Sequence, residues 1–569
     1  MSLFAAISLA SQQTIVSARS GDSVEPFPTP TPLTRPRQAP AISPTPTPAS
    51  TPTPTKSPLT VQSIEELQST IRQRLFDPRV RRGRVGVKIV SLNSGKVIFE
   101  QDSEKYFMPA SNMKNFTVAA ALEKLGPDFK FTTRVFGPKP DANGVLKGDL
   151  RIVGGGDITI STAFFGTSPT DPETYYKGID RLVDRISAAG IKRVEGDLVG
   201  DEGYFRGFAI PTTWEWDDLQ PYYGAEVSAL PLNDNAVDIL VTPGKAGEPC
   251  NVKISPPNAL FRVENVCWTS AVNSKRQLTV NKKIDQNFLW VGGSMPADDN
   301  GYSNSITVSH PADLFLAILR ERLAKRGIVV TGGATTYRNQ DYHPLVPLRG
   351  VVESFPTSQP DLMPRELTAL ESPPFSVVAA KTMKPSQNMY TETILWTLGE
   401  KLEENKRANQ EVVGVKGFPT PERPESSKLG LDAVKAFLKQ IGVPDDGIIQ
   451  YDGSGLSRHD VITPAAVVTL YSYMAKESKY AQVWRDSLTV AGVDGTLTNR
   501  LKGTRAEANF RGKTGTIDQV SALSGYMTTA AGEQLIVSII VNGVAVTRNR
   551  TSLADDIVIA LANFNGRVD

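Results

Sequence analysis

The 569-residue sequence is short of several things, and each shortage excludes a class of protein. It has two cysteines, Cys250 and Cys267, which rules out a disulfide-dense scaffold and any four-cysteine zinc or iron–sulfur site. Its three histidines, His310, His343 and His459, make a multi-histidine metal centre an unsuitable reading. Neither sign of charge dominates. Lys+Arg 62 against Asp+Glu 60 leaves +2, so no net field draws the chain to nucleic acid or to an anionic membrane. No apolar run approaches the roughly 18 residues of a membrane span. The most apolar late stretch, Leu535 to Val546, sits between Gly532 and Asn542-Gly543 as a buried strand would. Phosphate-binding loops are missing too: Gly154-Gly155-Gly156-Asp157 has neither the GxxxxGK nor the GxGxxG spacing and reads as a tight turn. No repeat of solenoid length is visible.

What is present is ordinary globular material at 40% hydrophobic and 8% aromatic residues, in a length suited to several domains. Proline is uneven. Twelve of the 41 prolines fall between Pro26 and Pro58, so residues 26–60 form an extended Pro/Thr-rich spacer that cannot pack a core. Ahead of it, residues 1–25 hold an apolar run from Leu3 to Ala10 and the small residues Val16-Ser17-Ala18. They resemble the end of a secretory signal without its basic region. Export would let Cys250 and Cys267 pair; the sequence leaves that open.

The folded part begins with a helix expected over Val61 to Leu75, then the strands VGVKIVSL and KVIFEQ around the turn Asn93-Ser94-Gly95. At the far end LSGYMTT and QLIVSIIVNG flank Ala531-Gly532, and a helix opened by Ser552 follows. One sheet built from both termini, with everything between inserted, is the simplest packing. The middle, Thr133 to Glu366, has short strands, helices around Tyr176 to Ala189 and within SHPADLFLAILRERLAKRG, and many turns; it reads as accessory domains. The charged, proline-rich segment Glu403 to Lys428 reads as a surface loop.

Chemistry is carried by three short motifs. Met108-Pro109-Ala110-Ser111-Asn112-Met113-Lys114 precedes the alanine-rich helix NFTVAAALEKL. A serine at a helix start with a lysine three residues on places hydroxyl and amine on one face, a turn apart. Such a lysine, when neutral, can take the hydroxyl proton without histidine. Lys384-Pro385-Ser386-Gln387-Asn388 adds a hydroxyl and an amide two residues apart, and Lys513-Thr514-Gly515-Thr516 stands just before the last strands. S-x-x-K, a middle polar triplet (here S-Q-N) and K-T-G, in this order, form the penicillin-recognising set.

With these motifs the chain resembles the low-molecular-mass class C penicillin-binding proteins, the D-alanyl-D-alanine carboxypeptidase/endopeptidase family. IVGGGDITIS, WEWDDLQPYYGAEVSAL, YDGSGLSR and AGVDGTLTNRL add to the likeness, which runs from about Val61 to Phe564. The resemblance implies an α/β fold of α+β type: a five-stranded antiparallel sheet flanked by helices, with two inserted accessory domains. The boundaries expected are 61–132 and 367–569 for the catalytic domain, 133–220 and 304–366 for accessory domain II, and 221–303 for accessory domain III. It further implies Ser111 as acylated nucleophile, Lys114 as general base, Ser386 as proton relay to the leaving amine, and Asn388 as a hydrogen-bonding partner of the substrate peptide. Lys513 would bind the terminal carboxylate with help from the Thr514 hydroxyl. The backbone N–H groups of Ser111 and Thr516 would form the oxyanion hole, and Gly515 would let substrate approach the strand edge.

In WEWDDLQPYY, Asp217 and Asp218 stand among Trp214, Trp216, Tyr222 and Tyr223, a setting suited to a cation. The resemblance points to Asp218 as the contact for the free amine of a stem-peptide diamino acid. No metal or cofactor is implied. The partners are peptidoglycan stem peptides, and β-lactams as covalent inhibitors, met outside the cytoplasm in the periplasm or wall space. A β-lactamase would need an efficient deacylating water, and the large insertions and spacer suit a polymer substrate better. A non-catalytic wall scaffold need not keep Ser111, Lys114 and Lys513. His310, His343 and His459 read as structural or solvent-facing, and Ser454 as part of a turn that braces the catalytic domain.

Overall fold

The computed structural model describes residues 61–166, 171–338, 364–409 and 424–568. The expected leader (1–25), the spacer (26–60), His343 and the centre of the expected loop at 403–428 lie outside those residues.

Both chain ends build one antiparallel sheet. Its long strands are β1 (Arg84–Ser91), β2 (Val97–Gln101), β3 (Arg511–Ile517), β4 (Val520–Thr528) and β5 (Gln534–Asn542). They run in the order β3-β4-β5-β1-β2, with the two-residue strand Thr489–Val490 pairing outside β3. N- and C-terminal segments join where Arg84 lies opposite Asn542 and Ser91 opposite Leu535. The five-stranded expectation therefore holds for the long strands, and the short edge strand is an addition. The apolar run of β5 is explained by alternation: Leu535, Val537, Ile539 and Val541 enter one core, while Ile536 and Ile540 enter the other.

The first of these cores lies under two helices, α1 (Ile64–Leu75) and, at the chain end, α6 (Thr547–Asn563). The second lies under α2 (Lys114–Leu125), α3 (Asn388–Asn409), α4 (Ser426–Gln440) and α5 (Pro464–Lys476). Every residue of α2 from Lys114 to Leu122 is buried. Phe116 and Val118 to Leu122 supply the apolar surface a helix enclosed all round needs, and the buried Asn115 and Thr117 side chains are hydrogen-bonded.

Three local expectations need correction. Helix α1 starts at Ile64 rather than Val61, because Ser63 and Glu66 form a capping box. Helix α6 starts at Thr547, five residues before the expected opener Ser552. Ser552 Oγ instead donates to Arg548 O within the helix at 2.7 Å. The early start is set by Arg550, whose buried guanidinium donates to Ala545 O (2.9 Å), Thr547 Oγ1 (3.0 Å) and Ser521 Oγ (3.1 Å), tying the helix to the sheet. The segment expected as a loop from Glu403 is helical to Asn409, and helix resumes at Ser426. Its Lys and Glu residues are good helix formers and pair along the helix, as Lys401 does with Glu404 at 2.8 Å.

The middle of the chain leaves and re-enters the catalytic body on neighbouring strands. Thr132–Gly137 pairs antiparallel with Arg365–Glu371, so that Thr132 lies opposite Glu371. An insertion whose two ends emerge side by side costs its host little distortion. These strands belong to a five-stranded mixed sheet completed by Leu150–Val153, Leu198–Asp201 and Ala334–Tyr337. It shares a core with the helices Lys177–Ala188 and Pro311–Lys325. Two three-stranded sheets follow, one around Ala236–Thr242 and one around Phe288–Pro296. Ile239, Val241, Leu289, Val291, Met295 and Ile306 fill the space between them, and a Cys250–Cys267 disulfide crosses it. Strands 302–307 and 365–371 run across the positions 303/304 and 366/367 expected as domain boundaries, because ladder pairing continues past the change in sequence texture.

The glycines of the Gly154–Asp157 turn allow close crossing of backbones. A Cβ on Gly154 would lie 2.2 Å from Ala229 O, and one on Gly155 2.3 Å from Thr132 O.

Candidate active site

The three motifs converge from four elements. Ser111 sits in a 3-10 turn, Ala110–Met113, that runs directly into α2. The turn is fastened to the sheet on both sides. The Asn542 side chain accepts from Met108 N at 2.8 Å and donates to Met108 O at 3.1 Å. Asn112 donates to Lys513 O at 3.1 Å and accepts from Ser524 Oγ at 2.6 Å. Ala110 takes a left-handed φ of 46° to make the entry, a conformation that persists where surrounding contacts enforce it.

Lys114 is fully buried, and its Nζ has three neighbours: Ser111 Oγ at 2.9 Å, Asn388 Oδ1 at 2.6 Å and Ser454 O at 2.7 Å. None of the three is charged. Burial therefore lowers its pKa to about 7, against smaller upward pulls from Asp452, Glu392 and Asp460. An amine so placed is half neutral near physiological pH, the state in which it can accept a proton from the adjacent hydroxyl.

Asn388 opens α3 and Ser386 precedes it with a left-handed φ of 67°. The amide of Asn388 also donates to Tyr223 O at 3.0 Å, which brings the inserted segment to the wall of the site. Lys513 Nζ reaches across from β3 to Ser386 Oγ at 2.7 Å and to Thr514 O at 2.8 Å. Burial, with Lys114 nearby, pushes Lys513 well below the usual lysine range. The hydroxyls of Thr514 and Thr496 lie 2.7 Å apart. Thr516 is exposed at the end of the same strand, its hydroxyl donating to Gly515 O at 2.8 Å.

Gly515 has a nearer reason to be glycine than the approach of substrate. A Cβ there would lie 2.6 Å from Pro109 O and 3.1 Å from both Ser111 N and Asn112 N. Strand β3 is thus pressed against the turn that carries the serine.

Asp218 is treated differently from the expected open acid among aromatic walls. It is buried, while its neighbour Asp217 is exposed. Its carboxylate is paired with Arg458 Nη1 at 3.1 Å, which also meets Glu215 at 3.0 Å. Burial raises the Asp218 pKa, and Arg458 opposes that rise. The carboxyl oxygens of Glu215, Asp217 and Asp218 lie within 4.8 Å of one another, with the guanidinium against two of them. The aromatic enclosure is also incomplete: Trp216 is 74% exposed, and the Trp214 indole is turned to donate to Asp452 Oδ2 at 2.8 Å.

The two histidines among the described residues stand apart from this centre. His459 is exposed and stacks edge-on to Tyr451. His310 adopts a left-handed φ of 59° and lies 3.4 Å from Asp285. With Glu202, Phe205, Glu226 and Arg338 it lines a cavity of about 340 Å³, which none of the motif residues borders. What sequence reasoning missed is the environment of Lys114. Ser454, taken as a bracing turn, supplies a carbonyl to the amine, and Asp452, Asp460 and Glu392 lie buried around it. A visible signal was three polar residues, Thr391-Glu392-Thr393, inside an otherwise apolar helix stretch.

A serine, two buried lysines and an amide-bearing helix start, all against the edge of an antiparallel sheet, define the penicillin-binding type of serine site. The sequence profile of the D-Ala-D-Ala carboxypeptidase 3 (S13) family matches residues 67–564. The chain is 32% identical over 516 residues to the D-alanyl-D-alanine carboxypeptidase of Actinomadura sp. (strain R39), covering 88% of this chain and 86% of that one. It is 26% identical over 467 residues to D-alanyl-D-alanine carboxypeptidase DacB of Haemophilus influenzae, covering 81% and 85%. The crystal structure of penicillin binding protein 4 (dacB) from Haemophilus influenzae matches with a TM-score of 0.70 at 23% identity, over 88% of this chain and 99% of that one. That last likeness concerns the fold. The chain belongs to the D-Ala-D-Ala carboxypeptidase 3 (S13) family and is a serine-type DD-peptidase of the low-molecular-mass class C penicillin-binding proteins. Among the described residues, no helix is long and apolar enough to cross a membrane.

The packing at Gly515 yields a prediction. In Gly515→Ala the new methyl meets backbone atoms on three sides, and backbone cannot swing aside as a side chain can. The variant should lose about 1–3 kcal/mol of stability, read as a lower midpoint of the catalytic domain's unfolding transition in denaturant. An unchanged midpoint would show that β3 and the Ser111 turn move apart freely.

Proposed function

We propose that Ser111 is the nucleophile of a DD-peptidase that removes or cuts after D-alanine in peptidoglycan stem peptides, outside the cytoplasm in the periplasm or wall space, and that β-lactams acylate the same oxygen. The observation that carries this reading is the fully buried Lys114 amine, 2.9 Å from Ser111 Oγ and with its ammonium form destabilised. Lys114 takes the hydroxyl proton as the Oγ–carbonyl bond forms. The oxyanion turns toward the N–H groups of Ser111 and Thr516, donors worth a few kcal/mol each in general. Collapse breaks the peptide C–N bond, and Ser386 passes a proton to the departing amine. Asn388 holds the substrate's peptide, and Lys513, with Thr514, meets the terminal carboxylate. A water then releases the acyl group from Ser111.

The pH dependence tests the base. With Lys114 titrating near pH 7, the acylation rate should fall about tenfold per unit below that pH and level off above it. A fluorescent penicillin followed by stopped flow reads the profile. A rate flat from pH 5 to pH 9 would contradict the assignment.

The role of Lys513 is anchoring. Recharged by an incoming carboxylate, it would make a charge-assisted hydrogen bond worth about 1.5–3 kcal/mol. Lys513→Ala should therefore lose roughly 10- to 100-fold more on a peptide ending in D-alanine carboxylate than on the matching amide. Equal losses in kcat/KM on both substrates would assign it to proton transfer or folding.

For Asp218 the reading is selection of a side-chain amine in the stem peptide, with Arg458 occupying the acidic corner until the amine competes for it. Asp218→Asn should slow turnover of a stem peptide bearing a free side-chain amine well below that of its acetylated analogue, relative to the unchanged enzyme. Equal effects on both peptides would move the amine pocket elsewhere.

A further inference from the structure

Behind Lys114 lie three carboxylic acids that the reaction as described does not use. Glu392, Asp452 and Asp460 are all buried, at 0%, 1% and 0% exposure. They come from two elements already in the site. Glu392 stands one helical turn after Asn388 on α3, hence on the same face. Asp452 and Asp460 bracket the loop whose Ser454 carbonyl receives the Lys114 amine at 2.7 Å.

Hydrogen bonding tells the three acids apart. Asp452 accepts from Gly455 N at 2.6 Å, Ser457 N at 2.8 Å and the Trp214 indole at 2.8 Å, and Ser454 Oγ lies 3.4 Å away. Three firm donors thus converge on this one buried carboxylate. Glu392 has the backbone donor Gly453 N, at 3.0 and 2.9 Å from its two oxygens, and the Ser454 hydroxyl beside it. Asp460 accepts from Tyr451 N at 2.7 Å through Oδ1, while its buried Oδ2 meets no donor. Burial, with Asp452 beside it, pushes the Asp460 carboxyl well above the usual carboxylate range. Glu392 is raised above the usual carboxylate range by burial and by Asp452. Around the amine, then, Asp452 is the acid best supplied with donors, burial disfavours charge on Glu392 and Asp460, and Lys513 contributes from β3.

We propose that Asp452, supported by Glu392 and Asp460, is the buried counter-charge that sets the proton affinity of Lys114 and steadies the ammonium formed when Ser111 is acylated. These are positioning residues. They act through the field and through the Ser454 carbonyl, with no contact to substrate. The arrangement has a chemical logic. A carboxylate in direct contact would hold Lys114 as an ammonium, and no carboxylate at all would make the ammonium too costly to form in a buried site. One charge, a loop's width away, leaves both states accessible. Glu392 also borders a small cavity of about 70 Å³ beside Trp396 and Tyr451, room for water on that side of the cluster.

The inference rests on Lys114 being the base, and the test separates the two. The pH profile of acylation by a fluorescent penicillin is measured for the full chain, for Asp452→Asn and for Glu392→Gln. Removing negative charge makes the ammonium less stable, so the acid limb should move to lower pH in both variants. The expected shift is a unit or more for Asp452→Asn and a smaller one for Glu392→Gln, because burial already disfavours the charge on Glu392. A purely structural brace would lower the plateau and leave the limb where it was. An unmoved or raised limb in the variants therefore overturns the proposal. If Asp452→Asn does not fold, Glu392→Gln decides alone by the same criterion. Absence of any acid limb in the unchanged enzyme would overturn the base assignment and this inference together.

Discussion

The site depends on one buried amine. Lys114 brings together the serine turn, the start of α3 and the 451–460 loop, the last two 274 and 340 residues further on, because each supplies it an acceptor within 2.9 Å. A buried, polyvalent donor of this kind must have its bonds met, so the segments cannot drift apart without stranding it. Meeting them with neutral oxygens alone leaves the amine poised between its two protonation states. Geometry and chemistry are thus settled by the same constraint.

The rest of the architecture serves that contact. Strand β3 lies against the serine turn closely enough to require Gly515, and the Asn112 and Asn542 side chains pin the turn to the sheet. The inserted sheets reach back as well: Tyr223 offers a carbonyl to Asn388, and Trp214 an indole donor to Asp452. An insertion that leaves and returns on paired strands can therefore complete the catalytic body as well as shape its rim.

How much of this was legible in the sequence follows from how local each feature is. Ser111 and Lys114 lie within one turn, and their pairing could be read directly. Strands β1, β2, β4 and β5 announced themselves through apolar stretches separated by glycine turns. Features that need a distant partner stayed hidden. The start of α6 is set by Arg550 bonding to Ser521, and the end of α3 by helix-forming charges in a segment whose composition suggested a loop. Asp218 looked like an open cation site, since nothing near it in sequence reveals Arg458, 240 residues on. Likewise, Glu392 and Asp452 are 60 residues apart, and only the folded chain places them behind the same amine.

The central claim is that Ser111 is the oxygen acylated and that Lys114 enables it. The most direct measurement is peptide mapping by mass spectrometry after exposure of the full chain to a β-lactam, alongside Lys114→Met. The account predicts one drug-sized adduct, on the peptide containing Ser111, in the unchanged enzyme and almost none in the variant. An adduct on another residue, or undiminished labelling of Lys114→Met, would contradict it.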